Sequence, residues 1–265
     1  MVNAVSQGMI DMALVYGGMF SGSVPAADLE AGLPFSRWEV SQYIDMMWGP
    51  KYRLIDIVRE GFGKKNIYLL TPQGAGDYLF MLNFPIQKFA DLKGHKIRGA
   101  GGPAMWLSAV GAAPVNIPGS EIYMAMKLGT IEGTLFPAMI LEALKLKEVV
   151  KYIVYPPMSS PGGCITLVNK DVWNSLPPSV KAGLTERTLV NYYRYVTDLY
   201  QEKDALALEA AYKYGVKKIV LPEEEKLKAI KIAAPIWEQI AKEDVHTKKG
   251  VQVIKRYLTD TGFLK

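Results

Sequence analysis

Residues 96–136 read KIRGAGGPAMWLSAVGAAPVNIPGSEIYMAMKLGTIEGTLF. Short strand-like stretches (KIRGA, APVNIP, TIEGTLFP) alternate with helical ones (PAMWLSAVG, GSEIYMAMKLG). Pro103 opens the first helix and Gly111 closes it, while Ser120 is the expected N-cap of the second and Gly129 its stop. A third helix is expected over 138–148, followed by the strand VKYIVYPP. This βαβαβαβ order predicts a mostly parallel sheet covered by helices, hence an α/β fold.

Toward the N-terminus, MVNAVSQG reads as a helix ended at Gly8, and MIDMALVYG as a buried strand. Residues 17–36 form a loop rich in Gly, Pro and Ser. Helical periodicity runs from Trp38 to about Glu60, with a break near Gly49-Pro50, and Gly61 and Gly63 end it. NIYLLTPQ and LFMLNFPI follow as strands. Toward the C-terminus, GGCITLVNKD is a further strand; from Val172 the chain is mostly helical, interrupted by the strand KKIVLP. No internal repeat or low-complexity segment is present.

Composition removes several function classes. Hydrophobic residues make up 49% and charged residues 22%, ordinary globular usage that argues against disorder. The net charge of +5 is scattered in short runs such as Lys145-Leu146-Lys147, each beside acids, so the basic residues read as solvated helix faces and not as a nucleic-acid surface. The single cysteine, Cys164, lies in an apolar run and reads as core, and the two histidines, His95 and His246, lack metal-ligand spacing. No apolar run is long enough to span a bilayer. Met1 is followed by VNAVSQGMIDMA, without a basic start or small-residue cleavage site; alone, this points to the cytosol or to a chain that begins part-way. No nucleophile elbow, HExxH, Walker loop or paired-cysteine motif occurs, which weighs against an enzyme and predicts no catalytic residue.

The turn Gly99-Ala100-Gly101-Gly102-Pro103-Ala104 admits two readings. With Glu121 further on, it approaches the dinucleotide fingerprint, and an NAD(P)-dependent oxidoreductase is the alternative it offers. Against that, His95, Lys96 and Arg98 make the preceding strand polar, and Glu121 falls at a helix start, where it offsets the helix dipole. The other reading places Arg98 at the C-terminal end of a strand, beside a helix N-terminus, where a guanidinium fork suits bidentate capture of a carboxylate. A surface salt bridge from Arg98 to a nearby acid is the plain alternative to that role.

The stretches AVSQGMIDMALV, LEAGLPF, DLKGHKIR, GAAPVNIPGSEIYMAMKLGTIEGTLFP and VNKDVWNSLPPSVKAGL, in this order, cover essentially the whole chain. Together they resemble the extracytoplasmic solute-binding proteins of tripartite ATP-independent periplasmic (TRAP) transporters, the DctP family. The resemblance implies a two-lobed, periplasmic-binding-protein-like α/β fold. Its sheets would be mixed and mostly parallel, with a cleft between the lobes and long C-terminal helices. It also implies a periplasmic monomer that closes around a small organic acid and delivers it to a membrane permease. The arginine ending the DLKGxKxR strand, here Arg98, is implied as the carboxylate partner, and the GTIEGTLFP segment supplies a second contact near Phe136. Sialic-acid-type relatives carry an asparagine around there. Oxo-acid-type relatives carry a Glu-Trp pair whose glutamate helps bind a metal. Leu135-Phe136 stands at that place here, which implies no metal, no other cofactor and a less polar pocket.

Loops opening on the cleft add Tyr16, Phe20, Gln73, Tyr78 and Ser160 to the candidate ligand contacts, with core packing the alternative for the aromatics and a turn for Ser160. The expected lobes are 1–75 with 163–202, and 76–162 with 203–232, with 233–265 packing across both. Family members carry a signal peptide and further elements before the segment matched by AVSQGMIDMA. Against that pattern the chain reads as N-terminally incomplete, which predicts unpaired backbone and exposed apolar surface on the first lobe.

Overall fold

The computed structural model describes residues 1–31, 33–36, 39–159 and 163–264. Nine strands are assigned among them: β1 Met12–Tyr16, β2 Ile67–Gly74, β3 Tyr78–Leu82, β4 Lys96–Arg98, β5 Ala113–Val115, β6 Gly133–Phe136, β7 Tyr152–Ser159, β8 Gly163–Asn169 and β9 Lys217–Val220. The helices are α1 Val2–Ser6, α2 Asp28–Ala31, α3 Val40–Trp48, α4 Leu54–Gly63, α5 Gly102–Ala109, α6 Ile122–Lys127, α7 Ile140–Ala143, α8 Lys170–Ser175, α9 Pro178–Gly183, α10 Glu186–Tyr214, α11 Glu223–Ile240 and α12 Val245–Asp260.

The strands form two sheets, of order β1-β8-β2 and β5-β4-β6-β3-β7-β9. In the larger sheet β4 runs parallel to β5 and β6, and β7 parallel to β9, while β3 lies antiparallel between β6 and β7. Five of its strands therefore point one way, with β3 reversed. The smaller sheet pairs β8 antiparallel to both neighbours. The chain passes from one sheet to the other between β2 and β3 and returns between β7 and β8. The result is a two-lobed α/β architecture with mixed sheets.

Several local expectations are corrected. The strand over MIDMALVYG is not buried throughout: β1 alternates, with Ala13 and Val15 in the core and Met12 and Leu14 about half exposed. It lies at the edge of its three-stranded sheet, so one face packs and the other faces solvent. Ser120 caps nothing, because Gly119–Glu121 is a 3-10 turn entered from Pro118 and no side-chain cap bond is made there. The helix expected over 138–148 is two short pieces, α7 and a 3-10 turn at Leu146–Glu148, separated by Lys145 at φ +56.

Helices of the C-terminal half fasten the lobes together. α10, 29 residues long, is capped by the Thr185 hydroxyl at its start and by Gly215 in the left-handed region at its end. It packs on β2 and α3 of one lobe and on α7 of the other. α11 packs on α5: the Trp106 indole donates to the Ala229 carbonyl at 3.0 Å, and Glu225 accepts the Phe89 amide at 2.9 Å. The Trp237 indole, also on α11, donates to Pro34 at 3.0 Å. α12 packs on α4 of the first lobe, and Tyr52 donates to Asp260 at 2.9 Å. These indoles are fully buried, so each bond satisfies a donor that would otherwise be stranded. No helix among the described residues is long and apolar enough to cross a membrane.

Candidate functional site

β4 ends at Arg98, and the chain turns through Gly99–Gly101 into α5. Gly101 adopts φ +59, ψ −142, a conformation that disfavours any side chain. A Cβ there would also stand 2.8 Å from the Gly18 carbonyl oxygen, so only glycine lets this turn lie against the Gly17–Met19 turn that follows β1. That contact decides between the two readings of the glycines. The turn is filled by protein backbone where a pyrophosphate would have to sit. The strand before it is only three residues long, and Glu121 sits in a 3-10 turn. The dinucleotide reading therefore has no geometric support.

Arg98 is half-buried. Its Nε donates to the Ile117 carbonyl at 3.3 Å, and its guanidinium carbon stands 5.1 Å from the centroid of the Phe136 ring. No carboxylate pairs with it among the described residues, which sets aside the surface salt bridge. Burial lowers its pKa, and the nearby phenols of Tyr78 and Tyr16 act in the opposite sense. Three rings stand in a ladder beside it. Tyr16 and Tyr78 stack at 5.7 Å and 19°, and Tyr78 and Phe136 at 6.2 Å and 15°. Burial holds the Tyr78 phenol well above its ordinary pKa, so it remains neutral.

A cavity of about 10 Å³, room for about one water molecule, is lined by Tyr16, Tyr78, Arg98, Gly99, Ala100, Pro103 and Leu135. An organic acid needs more space than this conformation offers, so the lining must part to admit one. Of the residues named from the sequence, Arg98, Phe136, Tyr78 and Tyr16 are brought together here. Gln73 stands two strands from Tyr16 in the same row, both registering on Cys164 between them, and the Gln73 Oε1 accepts from the Tyr192 hydroxyl at 3.1 Å. Phe20 packs against the main core and does not line the cavity. Ser160 lies outside the described residues. Burial pushes the Cys164 thiol up to about 12, which leaves it protonated and unreactive. Among the described residues no group of His, Cys, Asp or Glu could hold a metal ion.

Sequence reasoning passed over two polar groups. Thr134, fully buried, registers on Arg98 across β4 and β6, and its hydroxyl has no hydrogen-bond partner among the described residues. Asp204, near the middle of α10, is buried and accepts the Met139 amide at 2.6 Å. The signal for Asp204 was its place on the stripe Tyr193, Val196, Thr197, Ala207 and Ala211, whose members are all buried.

The fold recurs in known structures. A TRAP periplasmic solute-binding protein from Rhodobacter sphaeroides, in an open, ligand-free form, matches with a TM-score of 0.76 and 26% identity, covering 98% of this chain and 83% of that one. One from Rhodoferax ferrireducens with bound malonate matches with a TM-score of 0.85 at 20% identity, covering 99% and 83%. In sequence, the chain is 26% identical over 262 residues to a monocarboxylate 2-oxoacid-binding periplasmic protein of Nostoc, a match spanning 97% of this chain and 70% of that one. It is 28% identical over 171 residues to the C4-dicarboxylate-binding periplasmic protein DctP of Rhodobacter capsulatus, spanning 63% of this chain but half of that protein's length. The family model described as bacterial extracellular solute-binding protein, family 7, matches residues 1–244. With that match running through both sheets and the Arg98 site, the chain belongs to the family 7, or DctP, solute-binding proteins.

Proposed function

We propose that this chain is the solute-binding component of a TRAP transporter, which captures a small organic monocarboxylate in the periplasm and delivers it to a membrane permease. The observation that carries this reading is Arg98: a desolvated guanidinium with no carboxylate partner among the described residues, set in the wall of a small cavity. Its Nε is engaged by Ile117, so its two terminal nitrogens supply the fork for the solute carboxylate. Each charge-assisted hydrogen bond is worth about 1.5 to 3 kcal/mol. The Tyr16–Tyr78–Phe136 ladder and Leu135 select the remainder of the solute by shape, which favours a moderately apolar 2-oxo, 2-hydroxy or aryl-substituted acid. Relatives described as binding a 2-oxoacid or malonate lend weight to an acidic solute.

In this reading the lobes are 1–75 with 163–202, and 76–162 with 203–232, and 233–265 packs across them. They close about the inter-sheet connections and α10, excluding water and strengthening the Arg98–carboxylate pair. In this reading the protein acts as a monomer, with no metal or other cofactor. Gln73 and Phe20 act as the cleft shuts, and Ser160 is a further candidate contact. The test is calorimetry against a panel of monocarboxylates, dicarboxylates and sugar acids. Binding of a monocarboxylate by the native chain and its loss in Arg98→Ala support the reading. Unchanged affinity in the variant overturns it.

A further inference from the structure

Burying a carboxylate inside a helix is costly unless several donors converge on it. Asp204 is 6% exposed, on the face of α10 that packs into the protein. Its Oδ1 accepts the Met139 amide at 2.6 Å, and the backbone N–H groups of Asp77 and Ala138 face the carboxylate and favour its charge. The Gly76 backbone passes so close that a Cβ there would overlap the Asp204 carboxylate. Two segments distant in sequence therefore end on one side chain. Asp77 immediately precedes Tyr78, the first residue of β3, and Ala138 follows Phe136, the last residue of β6, by two residues. One strand register ties these ends together, Leu79 opposite Phe136. Two turns of α10 earlier, Thr197 lies against Gly74, with its hydroxyl satisfied by the Tyr193 carbonyl at 2.7 Å.

We propose that Asp204 is a positioning residue for the solute site: from α10 it grips the chain just before Tyr78 and just after Phe136, and so sets the spacing of those two rings beside Arg98. The role of the rings in recognition rests on the solute-binding reading, whereas the grip itself is a property of the unliganded chain. A leucine would fill the same helix position without accepting the donors of Asp77, Ala138 and Met139, leaving them stranded. An asparagine would keep one acceptor and lose the charge.

The grip also responds to protons. Burial pushes the Asp204 carboxyl up to about 6; the Met139 amide pulls it down and Asp77 pushes it up. The other titratable groups facing it are Tyr155 on β7 and Tyr200 on α10 itself. Glu142 and Lys203 line the adjoining surface groove together with Met139. Above that pH the ionised carboxylate accepts from the Met139 amide and draws on the nearby amides of Asp77 and Ala138. Below it, the added proton makes one oxygen a donor facing donors, and the grip weakens.

The experiment is NMR on the unliganded chain. The Met139 amide resonance should titrate with a midpoint near pH 6 in the native protein and stay flat in Asp204→Asn. The contact between the Tyr78 and Phe136 rings, read as a nuclear Overhauser effect at pH 7.5, should persist in Asp204→Asn and be lost in Asp204→Ala with its circular dichroism unchanged. A flat Met139 amide in the native chain, or an intact ring contact in Asp204→Ala, overturns the proposal. Should Asp204→Ala not fold, the Asn variant decides: a titration unaltered by the substitution refutes the role. Pyruvate, used as a separate probe against Arg98→Ala, tests the solute reading, so either idea can fail without the other.

Discussion

Gly101 and Gly18 meet backbone to backbone, the site of a would-be Cβ on Gly101 lying 2.8 Å from the Gly18 carbonyl oxygen. One residue belongs to the turn after β4 and the other to the turn after β1, so the contact joins a loop of each sheet at the cavity. Replacing Gly101 adds both a positive-φ penalty and a steric one. Gly101→Ala should cost about 1 to 3 kcal/mol in urea unfolding, and it should weaken solute binding by holding the two turns apart. Full stability together with full affinity would mean that this contact is incidental.

Arg98 should be sensitive to geometry as well as to charge. Losing two charge-assisted hydrogen bonds in Arg98→Ala is worth roughly 3 to 6 kcal/mol, on the order of a hundredfold or more in affinity. Arg98→Lys keeps the charge but not the fork, and should fall between the two. A lysine variant indistinguishable from native in calorimetry would argue against bidentate capture.

Phe136 carries the cation–π contact to Arg98 and the last step of the ring ladder. Phe136→Ala should open the cavity on that side, lowering affinity for the smallest acids by about 1 to 2 kcal/mol and raising the relative affinity for bulkier ones. Competition binding with a series of acids of increasing side-chain size would measure this. An unchanged rank order would place the tail elsewhere.

Asp28 should make folding stability fall as pH rises. Burial, reinforced by Glu243, pushes its carboxyl up to about 7, against an opposing hydrogen bond from Ser21. Its ordinary value is near 4. Between those values the folded chain holds a proton that the unfolded chain has released. The stabilisation is therefore complete below about pH 4 and is lost as pH rises through about 7. From this group, urea unfolding at pH 5 should exceed that at pH 8 by roughly 2 to 3 kcal/mol, and Asp28→Asn should remove that part of the slope. Asp204, raised to about 6, contributes in the same direction.

Much of this molecule was legible where local chemistry and tertiary demand coincide. The helices after Pro103 and before Gly215 and the alternation of strands and helices from β4 to β7 form where the pattern placed them. Arg98 stands at a strand end beside a glycine turn, as its neighbours in sequence predicted. The misses have a common cause. Ser120 had the chemistry of a cap, but Pro118 leads into a 3-10 turn that leaves its hydroxyl nothing to cap. Lys145 turns left-handed and splits a periodic stretch into two short turns. The reversed β3 belongs to no local pattern, since its direction is set by where the chain enters from the other sheet. Asp204 sits on the buried stripe of α10, but which segments end on it is set by distant chain and no periodicity shows it; Thr134 looks like an ordinary strand residue in sequence.

The reversal of β3 has a mechanical consequence. In a uniformly parallel sheet the first residue of a strand lies at the opposite end from the last residues of its neighbours. Because β3 runs backwards, Tyr78 enters at the end where β4 and β6 finish, one residue before the Leu79–Phe136 pair, while Arg98 registers on Thr134 two residues short of Phe136. One of the chain's crossings between the sheets, that from β2 to β3, thus arrives beside the Arg98 site. If the proposed closure pivots at that crossing, the lever arm to the aromatic ladder is short. On that proposal the outer rims would sweep through larger arcs than the rings beside the guanidinium, and the carboxylate station would keep its shape as the lobes move.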